Sequence, residues 1–253
     1  MKKSRASSFS VKPWAVAVWL VVWQAAAMLV GKELLLVSPW RTVTRLWELG
    51  GDPVFWGAVG YTLLRIAGGF LAATALAVVL AALAGRFRRV RELLSPLMIT
   101  VKTVPVASVI VVILIWFTSK KLSVIISGLM VLPIIYTNTL EGLLSRDPLM
   151  AETARVFGMK PLRRAAYIDL PQVLPFFRSG CRVALGLCWK AGVAAELIGQ
   201  PSGSIGWALN QSRLYLETRD VFAWTLAIIL LSVLCEKLAL LGLSALAERL
   251  RRV

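Results

Sequence analysis

The chain's 253 residues are 58% hydrophobic with a mean hydropathy of +0.75, which excludes an ordinary soluble domain and fits an all-α, polytopic membrane helix bundle of about six spans. A formal charge of +16 would suggest nucleic acid in a soluble protein, but here the basic residues sit in short stretches between apolar runs, where they set topology and meet anionic lipid, so no nucleic-acid partner is expected. Histidine is absent, which removes the commonest metal ligand and general base, and no metal site is expected.

Residues 1–12 form a basic start with Lys2, Lys3, Arg5 and Lys12. The apolar run from Pro13 to Val30, headed by Trp14, Trp19 and Trp23, reads as a first span, since tryptophan suits the membrane interface. No small-residue cleavage pattern follows it, so it is expected to stay. Gly31 to Gly60 is amphipathic. Val43, Leu46 and Trp47 share one face and Arg41, Thr44, Arg45 and Glu48 the other, which predicts a segment lying along the outer surface.

Span two is predicted from Tyr61 to Ala84, rich in the alanine and glycine that permit close helix packing. A basic loop, Gly85 to Glu92, precedes span three from Ser95 to Phe117, in which Pro105 can introduce a kink. Span four runs from Leu122 to Leu144, span five from Val173 to Ile198 and span six from Val221 to Ala247. A polar loop is expected from Gly199 to Asp220. Cys181, Cys188 and Cys235 all lie in apolar runs and read as small apolar fillers. With the N-terminus inside, residues 1–12, the Arg86–Arg91 loop, the stretch before span five and the C-terminus fall on one side. That side carries the excess of Lys and Arg, so both termini are expected in the cytoplasm.

Between spans four and five, Met150 to Pro175 is the longest polar interruption of the second half. Ala151, Ala154, Phe157 and Met159 recur at roughly helical spacing, Gly158 allows a turn, and Pro161 suits the first turn of a second helix. Pro171 is expected to stop that helix. This stretch resembles the cytoplasmic loop of binding-protein-dependent ABC transporter permeases: E-A-A, three residues, G, nine residues, I, one residue, L-P. The matching residues are Glu152, Thr153 and Ala154, then Gly158, then Ile168, Leu170 and Pro171, with Thr153 standing where the family has alanine.

The resemblance widens to the permeases of the nitrate, sulfonate, taurine and bicarbonate importer group. It is carried by Thr62 to Phe70, Pro96, Pro105, Ile115-Trp116-Phe117, Asn138 with Gly142, Gly180, Arg182, Trp189, and Ala194-Ala195-Glu196 before Gly199. Thr118 departs from the glycine usual there. The resemblance implies a type I ABC importer permease fold, with residues 1–60 as an N-terminal tail, first span and outer amphipathic segment. Residues 61–253 would be the permease core, with a coupling loop over 145–172 that docks on an ATPase. It also implies two ATPase copies, an extracytoplasmic substrate-binding protein, a permease dimer (two copies of this chain or one with a close relative), surrounding lipid, and a prokaryotic cytoplasmic membrane. ATP would be bound by the partner subunit. This chain has no GxxxxGK[ST] phosphate loop and no placed nucleophile–base pair, so no catalytic residue and no cofactor of its own are expected.

Charges inside predicted spans need a reason, because one at the bilayer centre costs at least about 2.5 kcal/mol. Arg65, Arg178 and Arg182 lie near span ends and can snorkel. Lys102 and Lys190 lie deeper, and two readings stand. A lysine paired with Glu196 could neutralise both charges, or the two lysines could favour anions along a path. Pro105, Asn138 and Glu196 join them as candidates for the path or its gate. The solute expected from the resemblance is a small anion such as a sulfonate, nitrate or bicarbonate, with a neutral or aromatic ligand such as a pyrimidine precursor as the alternative. A secondary transporter is disfavoured by the loop motif and by the lack of an internal repeat.

Overall fold

The computed structural model describes residues 12–252, so Lys2, Lys3 and Arg5 lie outside the described residues. Every regular element among them is helical: α1 (Pro13–Val30), α2 (Pro39–Gly50), α3 (Pro53–Arg86), α4 (Arg88–Thr103), α5 (Val106–Trp116), α6 (Ser119–Leu144), α7 (Pro148–Val156), α8 (Pro161–Arg164), a π-helical turn (Ala165–Asp169), α9 (Leu170–Gly199), α10 (Ile205–Leu214) and α11 (Thr218–Arg252). Several starts share one device, a polar cap followed by proline. Asp52 accepts from the Val54 amide before α3, and Asp147 accepts from the Leu149 amide before α7, both at 2.9 Å. Proline supplies the preset first-turn φ and has no amide to leave bare.

Helices α3, α6 and α9 form the centre. Ala73, Ala77, Ala81 and Ala84 of α3 pack with Val131, Ile135, Tyr136 and Leu140 of α6 and with Cys181, Ala184, Cys188 and Trp189 of α9. Cys181 and Cys188 are free and buried, as apolar fillers should be. Glycine sets the spacing. A Cβ on Gly69 would run into the Val124 carbonyl of α6, and one on Gly192 of α9 would meet Ser127 Oγ at 2.6 Å and Ile66 Cγ1 at 2.7 Å. Lipid gives helices no hydrophobic reason to associate, so close backbone approach supplies the attraction instead.

α1, α3, α6 and α11 are each long and apolar enough to cross a membrane, α11 over Thr218–Ala245. α3 begins at Pro53, eight residues before the predicted start of span two, and at 34 residues reaches about 50 Å, beyond a hydrocarbon core of about 30 Å. α9 has the length at 30 residues, but Arg178, Arg182, Lys190 and Glu196 lower its hydropathy.

Three expectations are corrected. Span three is not one kinked helix: α4 and α5 meet at 104°. Val104 before the proline and Pro105 itself are both extended, with ψ of 131° and 127°, because a residue preceding proline is pushed out of the helical region. Within this pair, Arg88, Arg89 and Arg91 of the expected basic loop already belong to α4. The Gly199–Asp220 stretch is not a plain loop but contains α10, capped by Ser204 Oγ accepting from the Trp207 amide at 3.0 Å. Pro171 does not stop a helix. It sits in the first turn of α9, which follows the π-helical turn without a break.

Neighbouring glycines test the packing. Gly69→Ala should cost about 1–3 kcal/mol by overpacking against a backbone oxygen, whereas Gly68→Ala, whose Cβ has open space, should be neutral or gain up to about 1 kcal/mol in helix propensity. Thermal unfolding of the two purified variants decides. Equal midpoints would remove the close approach as a determinant.

Candidate functional site

Two regions gather the candidate residues, one at each end of the α3–α6–α9 centre. At the first, α7 and α8 bridge the end of α6 and the start of α9. Gly158 lies in the left-handed region at φ +58°, which reverses the chain at the cost only glycine escapes. The turn closes by the Phe157 amide donating to the Thr153 carbonyl at 3.1 Å and the Met159 amide to the Ala154 carbonyl at 2.9 Å. Ala154 is buried at 2% exposure, so the motif's small residue faces inward. Thr153 turns its hydroxyl back onto the Leu149 carbonyl at 2.8 Å. The hydroxyl is thereby satisfied within its own helix, which explains how threonine replaces alanine here. Glu152 is exposed and forms no ion pair among the described residues.

The opposite face of this unit is apolar and uncovered. Val156 is 83% and Phe157 79% exposed, with Leu149 and Met150 beside them. Exposed apolar residues gathered at a hairpin tip are of the kind that protein contact surfaces use. Its base is held by residues the motif does not name. Asp169 takes Arg146 at 2.9 Å on one side and faces Arg164 at 3.6 Å on the other. Gln172 Oε1 accepts from the Asp147 amide at 2.8 Å while its Nε2 donates to the Ile168 carbonyl at 3.0 Å. Ile168 and Pro171 are half-buried and Leu170 is exposed, so the second half of the motif forms the joint to α9. A cavity of about 360 Å³ opens between α7 and this joint, lined by Ala154, Arg155, Met159, Pro161, Arg164 and Asp169.

At the other end, Glu196 is wholly buried. Its Oε2 accepts from Thr62 Oγ1 at 2.8 Å and from the Gly206 amide at 3.3 Å, and Thr62 Oγ1 in turn accepts from the Ile205 amide at 3.0 Å. One carboxylate therefore joins α3, α9 and the N-terminus of α10, where helix geometry favours negative charge. Of the two readings for the lysines, the pairing with Glu196 is not seen for either. Lys190 is exposed and makes no ion pair among the described residues, while Glu196 takes hydroxyl and amide donors instead. At 1.5 Å per residue the six-residue offset places them about 9 Å apart along one helix and on different faces. Lys102 is exposed and donates to Thr137 Oγ1 at 3.2 Å. Asn138 donates to the Ile134 carbonyl at 2.9 Å and packs on Gly180, where a Cβ would lie 2.9 Å from its own. Pro105 is exposed at the α4–α5 bend.

Beyond Glu196 lies an ion-pair network that was not anticipated. Arg45 of α2 donates to Asp220 at 2.5 Å and to Glu48 at 2.8 Å, and these hydrogen bonds hold its guanidinium pKa above the usual value. Glu33 pairs with Arg41 and with Arg219. The amphipathic face of α2 also differs in detail from expectation: Trp40, Val43 and Trp47 point outward, and Leu46 and Leu49 pack inward on Phe55, Ile205 and Trp224.

Residues 55–252 match the family described as Binding-protein-dependent transport system inner membrane component. A Bacillus subtilis (strain 168) protein, SsuC, named for aliphatic sulfonates transport, is 31% identical over 209 residues, covering 82% of this chain and 75% of its own length. The taurine transport system permease protein TauC of Escherichia coli (strain K12) is 28% identical over 93% of this chain and 86% of its own. The formylaminopyrimidine transport permease protein ThiX of Halalkalibacterium halodurans is 26% identical, with 85% and 86% covered.

The joint at Asp169 makes a separable prediction. Asp169→Ala frees Arg146 and Arg164, so amide exchange over residues 147–164 should quicken several-fold while α3 and α6 keep their protection. Unchanged exchange in the loop would show that the ion pairs do not hold it.

Proposed function

The chain belongs to the binding-protein-dependent transport system inner membrane component family, the permeases of ABC transporters, and on that premise we propose that it imports a small organic or inorganic anion, with sulfonates first. Permeases of this family work with an ATPase and a substrate-binding protein. We assign the α7–α8 unit to the ATPase and the far end, around α2 and α10, to the binding protein. Two copies of the chain would enclose the path, two ATPase subunits would sit below, and both termini would lie in the cytoplasm. ATP would be bound and hydrolysed by the partner alone.

One observation carries the coupling assignment. The family motif coincides with a helical hairpin whose apolar tip is bare and whose base is tied to α9 by ion pairs and an amide hydrogen bond. Val156 and Phe157 offer anchors of the kind that dominate protein interfaces, and Asp169 with Gln172 ties their movement to α9. ATP-driven closure of the motor would draw the tips together and rotate α9, opening the path outward. Inward and outward states then differ in which contacts the nucleotide stabilises, as any ligand-driven shift requires.

The anionic class is supported by Lys102 and Lys190, both exposed on the bundle and neither balanced by a carboxylate among the described residues. A lysine at membrane depth is tolerated where it faces a water-filled path or a protein partner. The ThiX relative keeps a second reading open, a neutral heterocycle, for which the lysines would be structural.

In proteoliposomes with the cognate ATPase and binding protein, Phe157→Ala should lower ligand-stimulated ATP hydrolysis at least about tenfold, the loss expected for an interface anchor worth more than 1.4 kcal/mol. Lys102→Met and Lys190→Met should slow sulfonate uptake while leaving ATPase binding intact. Uptake equal to the parent in both would sink the anion reading, and a Phe157→Ala variant with full hydrolysis would sink the coupling assignment.

A further inference from the structure

Where α9 leaves the motif, its first turns and the lower part of α11 enclose a groove of about 320 Å³ that neither the motif nor the family match accounts for. Arg178, Ser179 and Arg182 line it from one helix, and Leu174, Pro175 and Leu243 supply apolar walls. Arg178 makes no ion pair among the described residues. Arg182 faces Glu236 of α11 at 3.9 Å, with its own side chain 63% and that of Glu236 37% exposed. That separation exceeds a hydrogen bond of about 2.7–3.2 Å, so the guanidinium fork stays free to donate. Two guanidinium groups against one carboxylate leave a net positive groove, and the fork geometry suits a tetrahedral oxyanion held by paired N–H donors. A hydroxyl at Ser179 adds a further donor.

We infer that this groove binds an oxyanion carried on a short apolar tail, either a soluble sulfonate-like solute at the inner mouth of the path or the phosphate of an anionic lipid. The apolar walls are the reason for the tail. A bare inorganic ion would leave the groove-facing sides of Leu174, Pro175 and Leu243 uncovered, whereas a few methylenes would cover them. The groove has a mechanical consequence as well. Pro171 of the motif borders it, so an occupant touches the first turn of α9, the segment through which α7 and α8 connect to the bundle. Occupancy thus biases whichever loop position keeps the groove open. Placing the site beside a transport path rests on the proposed function, but binding itself does not.

The test uses the full chain alone, in nanodiscs of phosphatidylcholine without ATPase or binding protein, so its failure is separate from failure of the importer reading. Butanesulfonate should bind saturably by calorimetry and 1-butanol should not. Arg178→Gln and Arg182→Gln should each weaken binding about tenfold, the loss of one charge-assisted contact. Arg182→Lys should lose less. Ser179→Leu, which fills the groove at an exposed position, should also abolish binding, guarding against a variant that merely misfolds. In discs containing phosphatidylglycerol, lost butanesulfonate binding assigns the site to the lipid head group, and undiminished binding assigns it to the soluble solute. No saturable binding in phosphatidylcholine discs, or equal binding by the Arg178→Gln/Arg182→Gln double variant, would overturn the site.

Discussion

The close approach of α3, α6 and α9 is the constraint on which everything else rests. In a bilayer, leucine against leucine gains nothing over leucine against an acyl chain, so helix association must come from fit and from hydrogen bonds. Gly69 and Gly192 let three backbones come within reach of one another, and the alanines of α3 extend the contact over four turns. The same economy recurs toward the loop. Gly180 accommodates Asn138, and Gly142 lies against Phe176.

What each end does follows from how it is fastened. At the loop end the attachment is ionic and amide-based: Asp169 between two arginines, and Gln172 spanning from the Asp147 amide to the Ile168 carbonyl. These bonds hold α7 as a lever while leaving its tip bare. At the far end α9 is fastened to α10 and α3 through a buried carboxylate, beside an ion-pair network around Arg45 and Glu33. Burying Glu196 is costly, and the Thr62 hydroxyl and the Gly206 amide offset part of that cost by donating to Oε2, while Oε1 has no hydrogen-bond partner among the described residues. Gly206 belongs to that arrangement, because a Cβ there would occupy the space of the Glu196 side chain. Glu196 thus ties α9 to the start of α10.

Much of this was legible in the residues, and the parts that were not share a physical cause. The spans announced themselves by composition, and the loop by a motif whose turn demanded glycine at 158. The α2 segment was legible as amphipathic, though its inward face depends on α11 and α3, which lie far off in sequence. The 104° break at Pro105 was visible only as a proline, since the angle depends on what packs against both halves. Pro171 looked like a stop because proline ends most helices from within. It starts one here, and the preceding π turn that makes this possible leaves no compositional mark. Helix α10 was hidden in a polar stretch, its cap Ser204 being indistinguishable from a turn serine. For Glu196, charge alone suggests a lysine partner. Its partners, a threonine 134 positions away and an amide ten positions on, are uncharged.

The faces left uncovered say what a single chain lacks. Along α9, Lys190 is exposed on a helix whose opposite side is packed, and Lys102 is exposed where α4 approaches its bend. A cation at membrane depth is tolerated where it snorkels to head groups or meets water or another protein surface. The long apolar helices α1 and α11 expose leucine, valine and tryptophan instead, as lipid contact requires. The division of one bundle into a greasy back and a cationic front is what a chain needs if its front closes a path against a second copy. The loop grips α9, which carries more charge than α3 or α6, the other two central helices.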